Sequence, residues 1–218
     1  MTEAALINGL ILAGGKSSRM GRDKSLINFH GKSQREYLFE LLSPFCDSVY
    51  LSCKSIVNIP KEFNPLPDAF DLNTPLNGVL SAFKLNPNRA WLTVPVDMPY
   101  VNADTIQFLL NHRDTQKIAT CFWDSSGKLP EPLLTLWEPR ASTLLSDFYH
   151  NKGFSPREFL VMHSVHCITP THSNWLKNIN SNQDLNQYFD SLHDRFETMK
   201  KNSFPPYSHD ETQIHPID

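Results

Sequence analysis

Apolar and polar positions along this chain follow two rhythms. Leu6 to Ala13 is a short, almost wholly apolar run that stops at a glycine pair, the pattern of a strand buried on both faces. Ala90 to Val96 repeats it and ends at Asp97-Met98-Pro99. Ser48 to Ser52, Lys117 to Trp123, Pro132 to Trp137 and Val165 to Ile168 read as further strands, the second and third of these joined through Asp124-Ser125-Ser126-Gly127. Between them the period lengthens to that of a helix. Tyr37, Leu38, Leu41, Leu42 and Phe45 form one stripe, opened by the capping box Ser33-Gln34-Arg35-Glu36 and closed by Pro44. A helix is expected from Pro75 to Leu85 with Thr74 as its cap, and another from Asn102 to about His112. Arg140 to Tyr149 and a segment opened by Ser155-Pro156-Arg157-Glu158 follow. A last helix starts near Gln183, capped by Asn182, and reaches toward Lys201. Ser25 to Phe29 is expected to be extended, His30-Gly31-Lys32 to turn, and residues 54–74 to be irregular, because Pro60, Pro65 and Pro67 interrupt them.

This alternation predicts an α/β fold, a single-domain Rossmann-like architecture with a mainly parallel central sheet flanked by helices. The folded domain is expected over residues 1–195, with 196–218 as the end of the last helix and a polar, proline-containing tail. No internal repeat is present.

Composition narrows the function classes. The 218 residues carry a net charge of −3, so no basic balance points to nucleic acid. No stretch is long and apolar enough to span a membrane, and the N-terminal residues lack the layout of a secretory signal, so the chain is expected in the cytoplasm. Cys46, Cys53, Cys121 and Cys167 form no C-x-x-C pair and read as reduced structural thiols. The nine histidines form no evident cluster, and His163 and His166 read as structural.

The first strand runs into Gly14-Gly15-Lys16-Ser17-Ser18-Arg19-Met20-Gly21-Arg22-Asp23-Lys24. Gly14 and Gly15 let the backbone approach a ligand, and successive N–H groups in such a turn make an anion-binding concavity. Lys16, Arg19, Arg22 and Lys24 add positive charge, with Arg able to fork onto phosphate oxygens. Gly21 permits a second turn that brings Lys24 back over the site. Strand, bare backbone and cations in that order suit a nucleotide polyphosphate better than a merely solvated basic loop. The sequence is neither G-x-G-x-x-G nor a P-loop, since Leu10 and Leu26 stand where the P-loop's first glycine is required.

Asp97 supplies the acid. In open α/β sheets ligands bind beyond the carboxyl ends of strands, and a carboxylate there can hold Mg²⁺ together with substrate phosphates and water. The competing reading is an Asp that caps the following turn. Asn178 and Asn180, in Asn178-Ile179-Asn180-Ser181-Asn182-Gln183-Asp184-Leu185, offer donors and acceptors to an acceptor molecule or serve as turn residues. Glu131 and Arg157 read as acceptor-facing or surface residues.

The motif L-A-G-G-x-S-x-R-M-G-x-D-K resembles the signature of the MobA-like molybdenum cofactor guanylyltransferases, members of the NTP-transferase family. Asp97-Met98-Pro99 is similar to the family's D-x-P metal motif, and Asn178 to Leu185 to its N-x-N-[ST]-x-x-D-L. The resemblance extends over about residues 6 to 190. Pro75-Leu76-Asn77-Gly78 is similar to the family's G-P-L-x-G, with Thr74 in place of the first glycine, and the acidic residue upstream is Asp68 or Asp71. The resemblance implies a nucleotidyltransferase domain in which Leu12, Ala13, Gly14, Gly15, Lys24, Asp68 and Gly78 bind the nucleotide. Arg19, Lys24 and Asp97 would be catalytic, Asp97 would hold Mg²⁺, and Asn178 and Asn180 would face the acceptor. The implied substrates are GTP and molybdenum-bound molybdopterin. Molybdoenzyme apoproteins or their chaperones are the implied protein partners. Gly15 leans the family reading toward guanine, because cytidylyltransferase relatives more often carry L-A-A-G. The alternatives are a transferase using CTP or acting on a sugar or polyol phosphate, a non-catalytic nucleotide or cofactor carrier, and a glycosyltransferase of similar fold.

Overall fold

Seven strands form one sheet in the order β3-β2-β1-β4-β6-β5-β7. The strands are β1 (Ile7–Leu12), β2 (Ser48–Cys53), β3 (Pro65–Pro67), β4 (Ala90–Pro95), β5 (Ala119–Trp123), β6 (Pro130–Trp137) and β7 (His166–Ile168). A computed structural model describes residues 4–13 and 23–191. Gly14, Gly15, Arg19 and the other residues through Arg22 lie outside the described residues, as do residues 192–218, where the sequence predicts the end of the last helix and a tail. The chain divides into two compact units, residues 1–179 and 180–218.

The pairings β1–β2, β1–β4, β2–β3 and β5–β7 are parallel, whereas β6 is antiparallel to both β4 and β5. The sheet is therefore mainly parallel with one reversed strand. That reversal follows from the short Asp124–Gly127 connection, which is too short for a parallel crossover. In β1 and β4 the period of two sends alternate residues to opposite faces. Ile11, Leu92 and Val94 pack under α1 (Gln34–Leu42) and α3 (Ala103–Asn111). Leu10, Leu12 and Trp91 pack under α2 (Leu76–Leu85), α4 (Ala141–His150) and α5 (Pro156–Met162). Helices on both faces bury both sides of the sheet, which is why these strands read as continuous apolar runs.

The helix starts follow their capping chemistry. Ser33 and Glu36 form the expected capping box on α1, and Asn102 accepts from Thr105 N at the start of α3. Ser155 accepts from Glu158 N at the start of α5. Three starts differ from expectation. Pro75, not Thr74, is the N-cap residue of α2, and the Thr74 hydroxyl instead donates to Phe154 O at 2.7 Å. Lys24–Leu26 is a 3₁₀ turn capped by the Asp23 carboxylate rather than an extended segment. In the second unit a helix, α6, covers 182–191. Ser181 and Asp184 exchange side-chain-to-backbone bonds at its start, so Ser181 is the cap and not Asn182. The 54–74 stretch contains a 3₁₀ turn at Lys61–Phe63 and the edge strand β3, whose two prolines are tolerated because an edge leaves one side of the ladder unpaired.

None of the four cysteines is in a disulfide. Cys121 and Cys167 face each other in register across β5 and β7, with Sγ atoms 3.6 Å apart. Burial pushes the Cys46 thiol up to about 12 and raises Cys53. Cys121 is raised by its bond to Cys167 and by burial, and that same bond lowers Cys167. Since the thiolate is the reactive form, Cys167 is expected to alkylate first in native protein at pH 8, followed far more slowly by the other three. Peptide mapping after timed iodoacetamide treatment checks the order. Among the described residues no helix is long and apolar enough to cross a membrane.

Candidate active site

The strand order reverses between β1 and β4, and the carboxyl ends of those two strands frame a crevice. Val96 N donates to Leu12 O at 3.3 Å, which keeps the two ends level. Asp97 follows immediately in the turn after β4. Lys24 approaches from the 3₁₀ turn, with Nζ 3.6 Å from Asp97 Oδ2 and 2.9 Å from Ile179 O. Ile179 N in turn donates to Asp97 O at 2.7 Å. One residue's main chain therefore ties the cation and the carboxylate together.

The Asp97 side chain is 24% exposed, yet its Oδ1 is buried without a hydrogen-bond partner among the described residues. Burial raises its pKa, and the ammonium of Lys24 partly offsets that. A buried carboxylate oxygen left unbonded is costly unless something else uses it. A hard divalent cation that keeps most of its waters and takes one protein carboxylate fits that atom. Asp97 is the candidate ligand on the strength of that unbonded oxygen, and among the described residues no group of three or more His, Cys, Asp or Glu side chains could hold a metal.

The other expected site residues divide. Leu12 ends β1 at the crevice and Ala13 follows it, while Gly14, Gly15 and Arg19 lie outside the described residues. Asp68 follows β3, its N–H bonded to Cys53 O at 2.8 Å, and it is half-buried with a pKa raised by desolvation. Asp71 is exposed. Asp68 is thus the less exposed of the two acids. A cavity of about 430 Å³ opens beside β1 and β2, lined by Ala13, Asp23, Arg35, Cys53, Lys54 and Asn58.

Gly78 sits in the first turn of α2, where a Cβ would lie 2.6 Å from Ser52 Oγ and 3.0 Å from Leu12 Cδ2. Its bareness lets the helix seat directly on the ends of β1 and β2. Asn77 beside it organises the Asp68 loop. Its Nδ2 donates to Phe70 O and Leu72 O at 2.7 and 2.8 Å, and Ser81 Oγ accepts from Ala69 N at 2.9 Å. Asn77 and Ser81 carry no motif of their own; their one signal in the sequence is two polar side chains four residues apart on a helix whose other buried positions are mostly apolar.

Glu131 is only 6% exposed. Burial raises its pKa, opposed by a bond from Leu133 N and by Arg157, and reinforced by the charges of Asp97 and Asp124. Arg157 lies 3.3 Å from Asp124 and 3.8 Å from Glu131, so its guanidinium bridges two acids. Asn178 is exposed and adjoins Ile179. Asn180 belongs to the second unit, where its N–H donates to Asp184 Oδ2 at 2.9 Å.

A mainly parallel sheet with an aspartate and a lysine at its switch point defines an α/β protein with a charged crevice beyond the carboxyl ends of β1 and β4. The family model described as the MobA-like NTP transferase domain matches residues 9–166, and the chain belongs to that family. The molybdenum cofactor biosynthesis bifunctional protein of Synechocystis is 31% identical over 182 residues, which are 82% of this chain and 52% of that protein. The chain therefore spans about half the length of that relative. A probable molybdenum cofactor guanylyltransferase of Nostoc is 27% identical, covering 82% of this chain and 88% of its own. Among solved structures, molybdopterin-guanine dinucleotide biosynthesis protein A from Archaeoglobus fulgidus superposes with a TM-score of 0.71 at 18% identity, over 87% of this chain and all of that one. That likeness is one of fold.

Proposed function

We propose that this chain transfers the GMP moiety of GTP to the terminal phosphate of molybdenum-bound molybdopterin, releasing pyrophosphate and leaving a guanine dinucleotide form of the cofactor. The observation that carries the reading is the unbonded, buried Oδ1 of Asp97 beside Lys24 at the β1/β4 switch point. The names of the relatives supply the nucleotide and the acceptor. In this reaction a phosphate oxygen of the acceptor forms a bond to the α-phosphorus of GTP, and the bond from that phosphorus to the bridging oxygen breaks. The attacking oxygen is already ionised, so no protein base is required. The protein's task is alignment and charge stabilisation.

In this reading Lys24 places its ammonium against the triphosphate while Ile179 O and Asp97 hold its Nζ. Arg19 and the backbone of Gly14 and Gly15 add donors to the phosphates. Asp97 holds Mg²⁺ through its carboxylate, and the ion, when bound, supplies neutralisation of charge on the reacting phosphates. Asp68, set by the Asn77 network, faces the nucleoside, and Asn178 faces the acceptor. The chemistry belongs to residues 1–195, and the chain acts in the cytoplasm, where molybdoenzyme apoproteins or their chaperones take the product.

Calorimetric titration of the whole chain tests the nucleotide assignment. GTP with Mg²⁺ is expected to bind at least about tenfold more tightly than CTP, a difference near 1.4 kcal/mol. Equal affinity for the two would remove guanine selectivity from the account.

A further inference from the structure

The turn that carries Asp97 is gripped from outside at three alternate carbonyls. Asp97 O accepts from Ile179 N at 2.7 Å, Pro99 O accepts from His30 Nε2 at 3.0 Å, and Val101 O accepts from the Tyr37 hydroxyl at 2.9 Å. The turn's own bonds are longer, Met98 N to Pro95 O at 3.5 Å and Val101 N to Met98 O at 3.3 Å. Hydrogen bonds weaken with length, so the outside bonds dominate the shape of residues 97–101.

Two of those three bonds come from one module. The turn His30-Gly31-Lys32, with Gly31 at φ +78°, precedes α1, and Tyr37 lies in the first half of that helix. The His30 and Tyr37 rings stack with centroids 3.7 Å apart and planes 20° from parallel. Each ring thus fixes the other, and both polar ends point into one turn. A carbonyl can only accept, so Nε2 carries the proton. Partial burial lowers the His30 pKa and favours the neutral ring with that tautomer.

We infer that His30 and Tyr37 are positioning residues for nucleotidyl transfer, acting through Pro99 and Val101 to hold the Asp97 carboxylate in line with the metal and phosphates. The inference rests on the reading of Asp97 given above. Neither side chain touches the reacting atoms. Their contribution is of the kind made by groups that orient a metal ligand from behind, whose loss commonly costs about 10–100-fold in metal affinity or activity.

The experiment uses the whole chain, with Mn²⁺ as the probe. Free Mn²⁺ is read by electron paramagnetic resonance in the presence of GTP, beside turnover and melting temperature. His30→Ala is expected to weaken Mn²⁺ binding about tenfold and lower kcat by about 10–100-fold, with the KM for GTP changed by less than about threefold. His30→Gln, whose amide can donate to Pro99 O, is expected to recover most of both losses. Tyr37→Phe keeps the stack and loses one hydroxyl, so it folds and moves both readouts the same way by a smaller factor.

Native Mn²⁺ binding and kcat in both His30→Ala and Tyr37→Phe would overturn the inference. So would a His30→Gln variant no better than His30→Ala, because the bond to Pro99 would then not be the agent. Asp97→Asn runs alongside as the reference. If it binds Mn²⁺ as the native chain does, the metal reading of Asp97 has failed and the positioning role falls with it. If it does not bind while His30→Ala does so normally, the positioning role alone has failed.

Discussion

Asp97→Asn is expected to lose at least about a hundredfold in turnover while melting at or above the native temperature. The loss follows from the site's geometry. A preorganised charge placed where phosphate charge develops is worth about 10²–10³ in rate, and Asp97 supplies the described carboxylate at the β1/β4 switch point. The retained stability follows from its burial. Desolvation raises the Asp97 pKa above its ordinary value, with Lys24 offsetting part of the rise. The ionised group is therefore less at ease in the folded chain than in water. Its stability cost is fully present at a pH above the folded pKa and is relieved as the pH falls through it. Asparagine keeps the shape and removes that cost. Steady-state kinetics and a thermal melt at pH 7.5 decide the matter together. A variant that is inactive and also melts far below the native chain would make Asp97 a structural residue instead.

Arg113→Ala is expected to destabilise the fold by about 3–5 kcal/mol, the range for removing one partner of a buried ion pair. Arg113 Nε donates to Glu138 Oε1 at 2.7 Å and its Nη2 to Glu138 Oε2 at 2.9 Å, a two-point clamp on a carboxylate that is 3% exposed. Nη2 also reaches Ala5 O at 2.9 Å, just before β1. One guanidinium thereby joins the second residue past α3, the residue after β6 and the approach to β1. Truncating it leaves a buried carboxylate and a main-chain oxygen short of donors. Urea denaturation followed by circular dichroism measures the effect. A midpoint within experimental error of the native one would show that the pair contributes nothing net.

Much of this architecture is legible in the residues because it is local. The buried runs of β1 and β4, the capping box Ser33–Glu36 and the position of Asp97 just past a buried strand all depend on neighbours a few residues away. What is not legible depends on distant partners. β3 is a strand because Pro65 and Pro67 lie against Leu51 and Cys53, and no local preference would make two prolines in three residues a strand. Thr74 looks like a cap by type, but its hydroxyl is taken by Phe154 O, which is 80 residues away. Ser181 outcompetes Asn182 because Asp184 completes its box. In the candidate site, Asp97 and Lys24 are readable from motif and charge. The main chain of Ile179, which joins them, carries no side-chain chemistry for a motif to display. His30 and Tyr37 are likewise ordinary residues until the fold brings Pro99 and Val101 to them.

The most direct test of the account is turnover by the whole chain with molybdenum-loaded molybdopterin, Mg²⁺, and either GTP or CTP, reading pyrophosphate and the mass of the product. The account predicts pyrophosphate and a guanine dinucleotide of the cofactor with GTP, and neither with CTP. A cytosine dinucleotide formed from CTP alone would contradict the base assignment. Nucleotide binding without pyrophosphate from either would contradict the transferase itself.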